Sequence, residues 1–237
     1  MNIWLKLALG FSALAALAAL PQESMAADAA HPAVVELFQS QGCSSCPPAA
    51  ANLAAISDRP DTLALSFAVD YWDRLGWKDT FSKHAWTERQ FAYARAMGRD
   101  GVYTPEIVVN GRVEGDGLAP EGLAELVRKG DRGDAGPSVT LAGDAVAIGA
   151  GQAPAGGADV WLVLYDPRTI EVAVRRGENA GLTLPHRNVV RDLRLLGRWR
   201  GEAQSFELPE RPGDGLVEAV IVQTSGAGPI LAAAKRS

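Results

Sequence analysis

Apolar and polar positions along the chain predict an α/β first half and a β-rich second half. In the first half, residues 34–38 and 63–69 have the apolar, β-branched composition of buried strands. Asn110-Gly111 lies between two extended runs, which is typical of a β-hairpin. Helices are predicted at three places, namely residues 49–56, 84–97 and 121–129. The predicted order of elements across residues 33–130 is therefore β-α-β-α-β-β-α.

The second half consists of short extended runs that glycine, proline and aspartate separate. This spacing over residues 138–237 is typical of a small all-β, sandwich-like domain. Residues 131–137 combine charges, glycines and a proline, so they are predicted to link the two domains. The predicted fold class is an α/β domain followed by an all-β domain.

The chain has only two cysteines, Cys43 and Cys46, and their C-x-x-C spacing follows the first predicted strand. Pro47 comes next, in the first turn of a predicted helix, where proline is favourable. Backbone N–H groups and the helix dipole at such a position stabilise a thiolate. Strand, turn, C-x-x-C and helix together are typical of a thioredoxin-like redox site. We expect Cys43, nearer to the helix start and to solvent, to attack, and Cys46 to be the buried resolving thiol.

Two other interpretations of this cysteine pair stay open. As a purely structural disulfide, so short a bridge would stabilise the fold by only about 2 kcal/mol. As a metal site, the pair is incomplete because a closed zinc site takes four ligands. The three histidines, His31, His84 and His186, are scattered along the chain. We therefore expect no metal and no cofactor.

Residues 1–26 resemble a leader more than a part of the fold. An uncharged apolar stretch at residues 7–20 precedes the small-x-small triplet Ser24-Met25-Ala26, the pattern of a secretory signal peptide. The stretch is shorter than the roughly 20 residues of a membrane-spanning helix, and an uncleaved anchor is the alternative. We expect a periplasmic or secreted protein without membrane insertion after signal cleavage. Disulfides persist in those compartments.

The net charge of −5 argues against nucleic acid or an anionic membrane as a partner. Arginines nevertheless concentrate in the second half, at Arg175, Arg176, Arg187, Arg191, Arg194, Arg198 and Arg200. They form either a docking surface for an acidic partner or an ordinary solvated face. Asn179, His186 and Asn188 can line a site, although their spacing indicates no chemistry.

Several segments resemble one known family. They are residues 35–49 (VELFQSQGCSSCPPA), 69–79 (VDYWDRLGWKD), 103–111 (YTPEIVVNG), 176–181 (RGENAG) and 188–191 (NVVR). The family is a group of secreted bacterial proteins with a thioredoxin-like domain, known as domain of unknown function 1223 (DUF1223). Gln39 and Thr80 depart from its pattern, in which threonine and proline are expected. The resemblance implies a thioredoxin-like fold and export, and it brings no established substrate.

A thioredoxin-like fold implies a role for two further positions. Pro105 begins the strand before the hairpin, and the equivalent proline of that fold is cis and packs beside the C-x-x-C motif. The alternative is an ordinary trans strand entry. Glu36, inside the first strand, either takes the proton of Cys46 from beneath the motif or points outward at an edge.

Three residues are candidates for binding a substrate. Thr104 precedes the proline, where the backbone edge is open to an extended chain. Trp72 and Trp77 belong to an aromatic loop that is expected to be mostly core, and these two are expected to be partly exposed near Cys43.

Two functions from different classes remain. The first is an exported thiol–disulfide oxidoreductase that acts on envelope proteins with thiols or disulfides. The second is a non-catalytic module of the same fold whose β-rich domain recognises an envelope partner. The direction of exchange does not follow from the sequence.

Overall fold

The computed structural model describes residues 27–210 and 215–236, so the leader predicted at residues 1–26 lies outside it. The helices are α1 (Cys46–Ile56), α2 (His84–Ala96) and α3 (Pro120–Lys129), with a short 3₁₀ helix at Asp73–Leu75. The strands are β1 (Ala33–Gln39), β2 (Thr62–Ala68), β3 (Glu106–Val109), β4 (Val113–Gly115), β5 (Val139–Ala142), β6 (Ala145–Ile148), β7 (Ala158–Asp166), β8 (Ile170–Ala173), β9 (Thr183–His186), β10 (Val189–Trp199), β11 (Gln204–Glu207), β12 (Val217–Thr224) and β13 (Ile230–Lys235). Within these ranges, no helix has the length and apolar character needed to cross a membrane.

One sheet of eight strands dominates this mixed α/β fold, in the order β13-β12-β7-β10-β2-β1-β3-β4. Strand β1 is parallel to β2 and antiparallel to β3. The predicted hairpin is confirmed, because β3 pairs with β4 around Asn110 and Gly111, both at positive φ. The predicted helices of the first half are present as well, with ends that differ by a few residues.

The same sheet continues across the predicted boundary between two domains. Strand β10 runs parallel to β2 with Val189 opposite Ser66. Asn188, at a φ of 52°, strengthens this joint because its Nδ2 donates to the Ala64 carbonyl at 2.8 Å. Strands β7, β12 and β13 extend the sheet beyond β10. The expectation of a separate all-β sandwich is therefore wrong. Pairing with β10 satisfies backbone hydrogen-bonding groups of β2 that an open sheet edge would leave unpaired.

Sequence reasoning missed two strands, the short β9 and the long β10. The 11 residues of β10 carry four charged side chains, and three of them, Arg191, Arg194 and Arg198, belong to the arginine-rich stretch noted in the sequence. The charged positions lie on a partly exposed strand that follows β7 for most of its length. A half-covered strand tolerates charges on its open face, so the arginines were compatible with a strand.

The helices cover the sheet on both faces and so position the C-x-x-C motif. Helices α1 and α3 pack on one face against a cluster that includes Val35 and Leu37. Helix α2 packs on the other face, where Val34 and Phe38 contact Tyr93 and neighbouring aromatic side chains. A small sheet, β11-β6-β5, covers the far end of the large sheet. The separate hairpin of β8 and β9 lies next to α1.

Candidate active site

The C-x-x-C turn, residues 40–46, leads from β1 into α1. Its backbone is closed by two hydrogen bonds, from Cys43 N to Ser40 O at 3.1 Å and from Cys46 N to Cys43 O at 3.2 Å. Helix α1 begins at Cys46 with prolines in its first turn, as the sequence predicted. The local sequence therefore places both cysteines where a strand ends and a helix begins.

Cys43 and Cys46 form a disulfide, with their Cα atoms 5.5 Å apart. The Cys46 side chain is 1% exposed, in agreement with the prediction of a buried thiol. The expectation that Cys43 faces solvent is wrong, because Cys43 is 0% exposed. Residues distant in sequence cover it, so the position of a cysteine near a helix start does not by itself determine access.

The Thr104–Pro105 peptide bond is cis, which confirms that expectation. Thr104 lies close to the motif, since Ser45 Oγ is 3.5 Å from the Thr104 carbonyl oxygen and 3.4 Å from Cys43 Sγ. Trp72 Nε1 donates to Thr104 Oγ1 at 2.8 Å. The structure thus brings Thr104 to Ser45 of the C-x-x-C turn and to Trp72.

Trp77 and Asp79 both form hydrogen bonds to Gln41 of the turn. Trp77 Nε1 donates to Gln41 Oε1 at 3.0 Å, and Trp72 and Trp77 are partly exposed as expected. Asp79 Oδ2 accepts a hydrogen bond from Gln41 N at 2.7 Å. Burial raises the pKa of Asp79 to about 6, against backbone hydrogen bonds from Gln41 and Phe81 that lower it. A titrating carboxyl group therefore holds the backbone two residues before Cys43.

The β8–β9 loop, residues 174–182, covers the turn from the other side. Asn179 Nδ2 donates to both the Gln41 and the Cys43 carbonyl oxygens at 2.9 Å. Glu178 Oε2 accepts hydrogen bonds from Ser44 N at 3.0 Å and from Ser44 Oγ at 2.7 Å. These bonds hold a segment of the second half against the backbone on both sides of Cys43.

His186 lies beside the turn at the end of β9 and is 3% exposed. Its Nδ1 is 3.2 Å from Gln39 Nε2, which also donates to Ser66 Oγ at 2.8 Å. Burial lowers the pKa of His186 to about 4. A mostly apolar cleft of about 280 Å³ separates this hairpin from α1, and Cys46 and His186 are among its lining residues. A neutral imidazole thus borders the motif on the Cys46 side.

Glu36 is fully buried, but its partners correct the proposed relay to Cys46. Arg89 Nε donates to Glu36 Oε1 at 2.7 Å, and Tyr93 OH donates to Glu36 Oε2. Gln223 of β12 completes this group, because it hydrogen-bonds both Arg89 and Tyr93. We refer to these four residues as the inner cluster.

The inner cluster lies on the face of the sheet that α2 covers. Glu36 alternates with Val35 and Leu37, which face α1 on the opposite side. The carboxylate is therefore held by an ion pair and points away from the helix that carries Cys46. The alternative of an outward-pointing edge residue is equally wrong, since Glu36 is 0% exposed.

The arginines of the second half are largely paired within the fold. Arg187 contacts Asp58, Arg198 contacts Asp159 and Arg191 lies 4.5 Å over the Phe81 ring. These contacts favour the interpretation as an ordinary surface. In residues 27–210 and 215–236, no cluster of three or more His, Cys, Asp or Glu side chains is arranged to bind a metal.

Sequence reasoning missed Gln41, Ser44, Asp79 and Glu178 as site residues. Gln41 and Ser44 belong to the turn and act through their backbone N–H groups, whereas Asp79 and Glu178 reach the turn from distant segments. Neither kind of contact is visible in a local sequence pattern. One signal was present, because all four lie in segments that carry the family resemblance, namely residues 35–49, 69–79 and 176–181. The structure explains the last of these segments by its contact with the C-x-x-C turn.

Comparison with known proteins identifies the family of this chain and supports its fold. The model of the family described as "Protein of unknown function (DUF1223)" matches residues 34–223. The chain belongs to the DUF1223 family. It is similar to the crystal structure of protein AGR_C_4864 from Agrobacterium tumefaciens, with 35% identity, a TM-score of 0.72 and coverage of 86% of this chain and 92% of the other.

A more distant likeness concerns the fold alone. HBP35 of Porphyromonas gingivalis shares 14% identity at a TM-score of 0.58, over 87% of this chain and 75% of the other. No curated relative matches the sequence. The family and its relatives therefore support the fold, while the function has to be argued from the site.

Proposed function

We propose that this DUF1223 protein is an exported thiol–disulfide oxidoreductase that acts on thiols or disulfides of other exported proteins. The observation that carries this proposal is the disulfide between Cys43 and Cys46 at the start of α1, with the cis Thr104–Pro105 bond beside it. These are the only cysteines of the chain, so the bridge belongs to no disulfide framework.

The arrangement of elements supports a thioredoxin-like classification of residues 33–130. Strand β1, α1, β2, α2, β3, β4 and α3 follow one another in that order, with the 3₁₀ helix before α2. The C-x-x-C motif precedes α1, and the cis proline precedes β3. The signal-like segment at residues 1–26 supports export to the periplasm or beyond.

The proposed chemistry is thiol–disulfide exchange in two steps. A substrate thiolate attacks Cys43 Sγ, the Cys43–Cys46 bond breaks, and Cys46 leaves as the thiolate. A second substrate thiolate then attacks the substrate sulfur of this mixed disulfide and releases Cys43. Two substrate thiols are thereby oxidised to a disulfide while the protein disulfide is reduced to two thiols. The reverse sequence reduces a substrate disulfide through the same intermediate.

One observation favours the second candidate, a non-catalytic binding module. Both cysteine side chains are buried, at 0% and 1% exposure, as expected for an inert structural bridge. Exchange therefore requires that residues around the turn move. The two functions differ in whether a thiol outside the protein ever reaches Cys43.

Trapping of a mixed disulfide tests the proposal. The variants Cys43→Ser and Cys46→Ser are incubated with a peptide that contains a disulfide. We expect Cys46→Ser to accumulate an adduct through Cys43, because the resolving thiol is missing. Cys43→Ser is expected to accumulate none, because the proposal assigns to Cys46 only the resolving role. Mass spectrometry of the intact protein measures both adducts.

The double variant Cys43→Ser/Cys46→Ser serves as the blank, and titration against glutathione redox buffers measures the reduction potential of the wild type. Equal amounts of adduct in both single variants would contradict the assignment of Cys43 as the attacking thiol and Cys46 as the resolving thiol. A wild-type disulfide that no peptide thiol reduces would favour the binding module.

A further inference from the structure

The β8–β9 loop is a self-contained structure. Its ends are joined by hydrogen bonds from Val174 N to Leu182 O and from Gly181 N to Val174 O, both at 2.9 Å. Ala180 N donates to Gly177 O, and Leu182 N donates to Asn179 O. Because these bonds are internal, the loop does not need the C-x-x-C turn in order to keep its shape.

The contact of this loop with the turn has an inner and an outer part. Asn179 is 3% exposed, and its amide joins two carbonyl oxygens of the turn, those of Gln41 and Cys43. Glu178 and Ser44 are both exposed, so their two hydrogen bonds are in competition with water. The outer part is therefore the weaker one and the first to open.

Gly177 lies next to the turn, and its positive φ is the feature that favours glycine here. At a φ of +82° its missing Cβ would lie 3.6 Å from Trp77 Cβ and 3.9 Å from Gly42 Cα. The loop thus rests against the backbone next to Cys43 without an intervening side chain.

We propose that residues 177–180 are a latch that closes over the Cys43–Cys46 disulfide, with Glu178 and Asn179 determining which thiols reach it. This inference rests on the proposed redox function. A small thiol enters through transient openings, whereas a polypeptide thiol requires the latch to be displaced from the turn. The second half of the chain therefore acts as the specificity element of a site that the first half builds.

The charge of Glu178 also couples the latch to the chemistry. In the disulfide state the carboxylate accepts the Ser44 backbone N–H, one of the groups near the start of α1. When the second exchange step releases Cys43, its thiolate stands on the residue next to Ser44 and repels this carboxylate. Reduction is therefore expected to loosen the latch, and removal of the charge is expected to stabilise the Cys43 thiolate.

Rates of disulfide reduction test this inference. The wild type, Asn179→Ala and Glu178→Gln are reduced under pseudo-first-order conditions with dithiothreitol and, separately, with a ten-residue peptide that carries one cysteine. We expect Asn179→Ala to react with the peptide about tenfold faster, the factor that corresponds to one hydrogen bond of ordinary net strength. Glu178→Gln is expected to react about threefold faster, because its contact is exposed to water.

The matched control is Glu171→Gln, which removes the same charge from β8 of the same hairpin, on an exposed residue. We expect its rate to equal that of the wild type. The pH dependence of alkylation of reduced Cys43 gives a second readout, in which Glu178→Gln lowers the pKa of Cys43 and Glu171→Gln leaves it unchanged. A merely structural role of Glu178 would not move this pKa.

The outcomes separate the latch from the proposed function. If peptide exchange occurs at equal rates in all variants, the oxidoreductase stands and the latch is overturned. If the peptide reduces the latch variants but leaves the wild-type disulfide intact, the latch stands and the oxidoreductase is overturned. Should Asn179→Ala fail to fold, Glu178→Gln and its control decide the question.

Discussion

The two halves of the chain meet at two polar contacts that differ in burial. The inner cluster joins Glu36, Arg89 and Tyr93 to Gln223 of the second half, and all four side chains are buried. The latch joins the C-x-x-C turn to Glu178 and Asn179, and its outer bonds are open to solvent. When a buried charge loses its partner, no water is available to solvate it, so the loss is costly. When an exposed carboxylate loses its partner, water takes the place of the hydrogen bond and little energy is lost.

This difference indicates a division of labour between the contacts. The inner cluster stabilises the contact between the two halves, because breaking its ion pair would leave an unpaired charge in the core. The latch is built to be released, because water can replace its outer hydrogen bonds one by one. Substitutions in each contact should therefore affect different properties.

Loss of Arg89 should have the largest effect on stability. Arg89→Met leaves the Glu36 carboxylate buried without its cation, which typically lowers the free energy of unfolding by about 3–5 kcal/mol. Guanidinium unfolding measures this change, and Arg95→Met on the exposed side of the same helix is the control. The double variant Glu36→Gln/Arg89→Met should recover part of the loss, because it removes the unpaired charge. A loss no larger than that of the control would contradict a structural role for the cluster.

Two buried groups beside the C-x-x-C turn, His186 and Asp79, should give opposite responses to pH. The pKa of His186 is lowered to about 4 from 6.5, so its contribution to stability declines as the pH falls from 6.5 to 4. The pKa of Asp79 is raised to about 6 from 3.8, so its contribution grows as the pH falls from 6 to 4. Each effect amounts to about 3 kcal/mol at pH 4, and in the wild type they largely cancel.

Single substitutions should expose this balance. Relative to the wild type, Asp79→Asn is expected to lose stability on acidification from pH 6.5 to 4, and His186→Gln is expected to gain it. Unfolding midpoints at pH 7, 5.5 and 4 measure both trends. Parallel curves for the two variants would show that these groups do not titrate as their burial implies.

Asn179→Ala should have a smaller effect on stability than Arg89→Met. The substitution leaves the carbonyl oxygens of Gln41 and Cys43 without their donor, which costs about 1–2 kcal/mol. Thermal unfolding measures the loss, and hydrogen exchange at the Ser44 amide should become faster. If the free energy of unfolding falls as far as in Arg89→Met, the latch is a structural contact like the inner cluster and is not built to open.

Glu178→Gln should have the smallest effect. Its carboxylate is exposed, and hydrogen bonds from the Ser44 hydroxyl and backbone hold the pKa of Glu178 below its usual value. We expect an unchanged unfolding midpoint at pH 7 together with faster hydrogen exchange at Ser44. A clear drop in the midpoint would make the latch a structural contact like the inner cluster.

The local part of the site was predictable because it depends on residues near one another in sequence. The position of Cys43 and Cys46, the helix that follows and the Asn110-Gly111 hairpin all follow from short patterns. The cis bond before Pro105 was predicted from the order of the elements. In contrast, the exposure of Cys43 was predicted wrongly, since covering residues come from 130 positions or more along the chain.

The sequence by itself determined the elements of the first half, the C-x-x-C motif and the family to which the chain belongs. These features depend on the conformational preferences and the spacing of residues that are close together in the sequence. Only the tertiary structure decided that β10 joins the halves into one sheet, that Glu36 pairs with Arg89, and that Glu178 and Asn179 close over the disulfide. Such contacts arise from side chains that become neighbours only after the sheet has formed, and no local pattern encodes their distance.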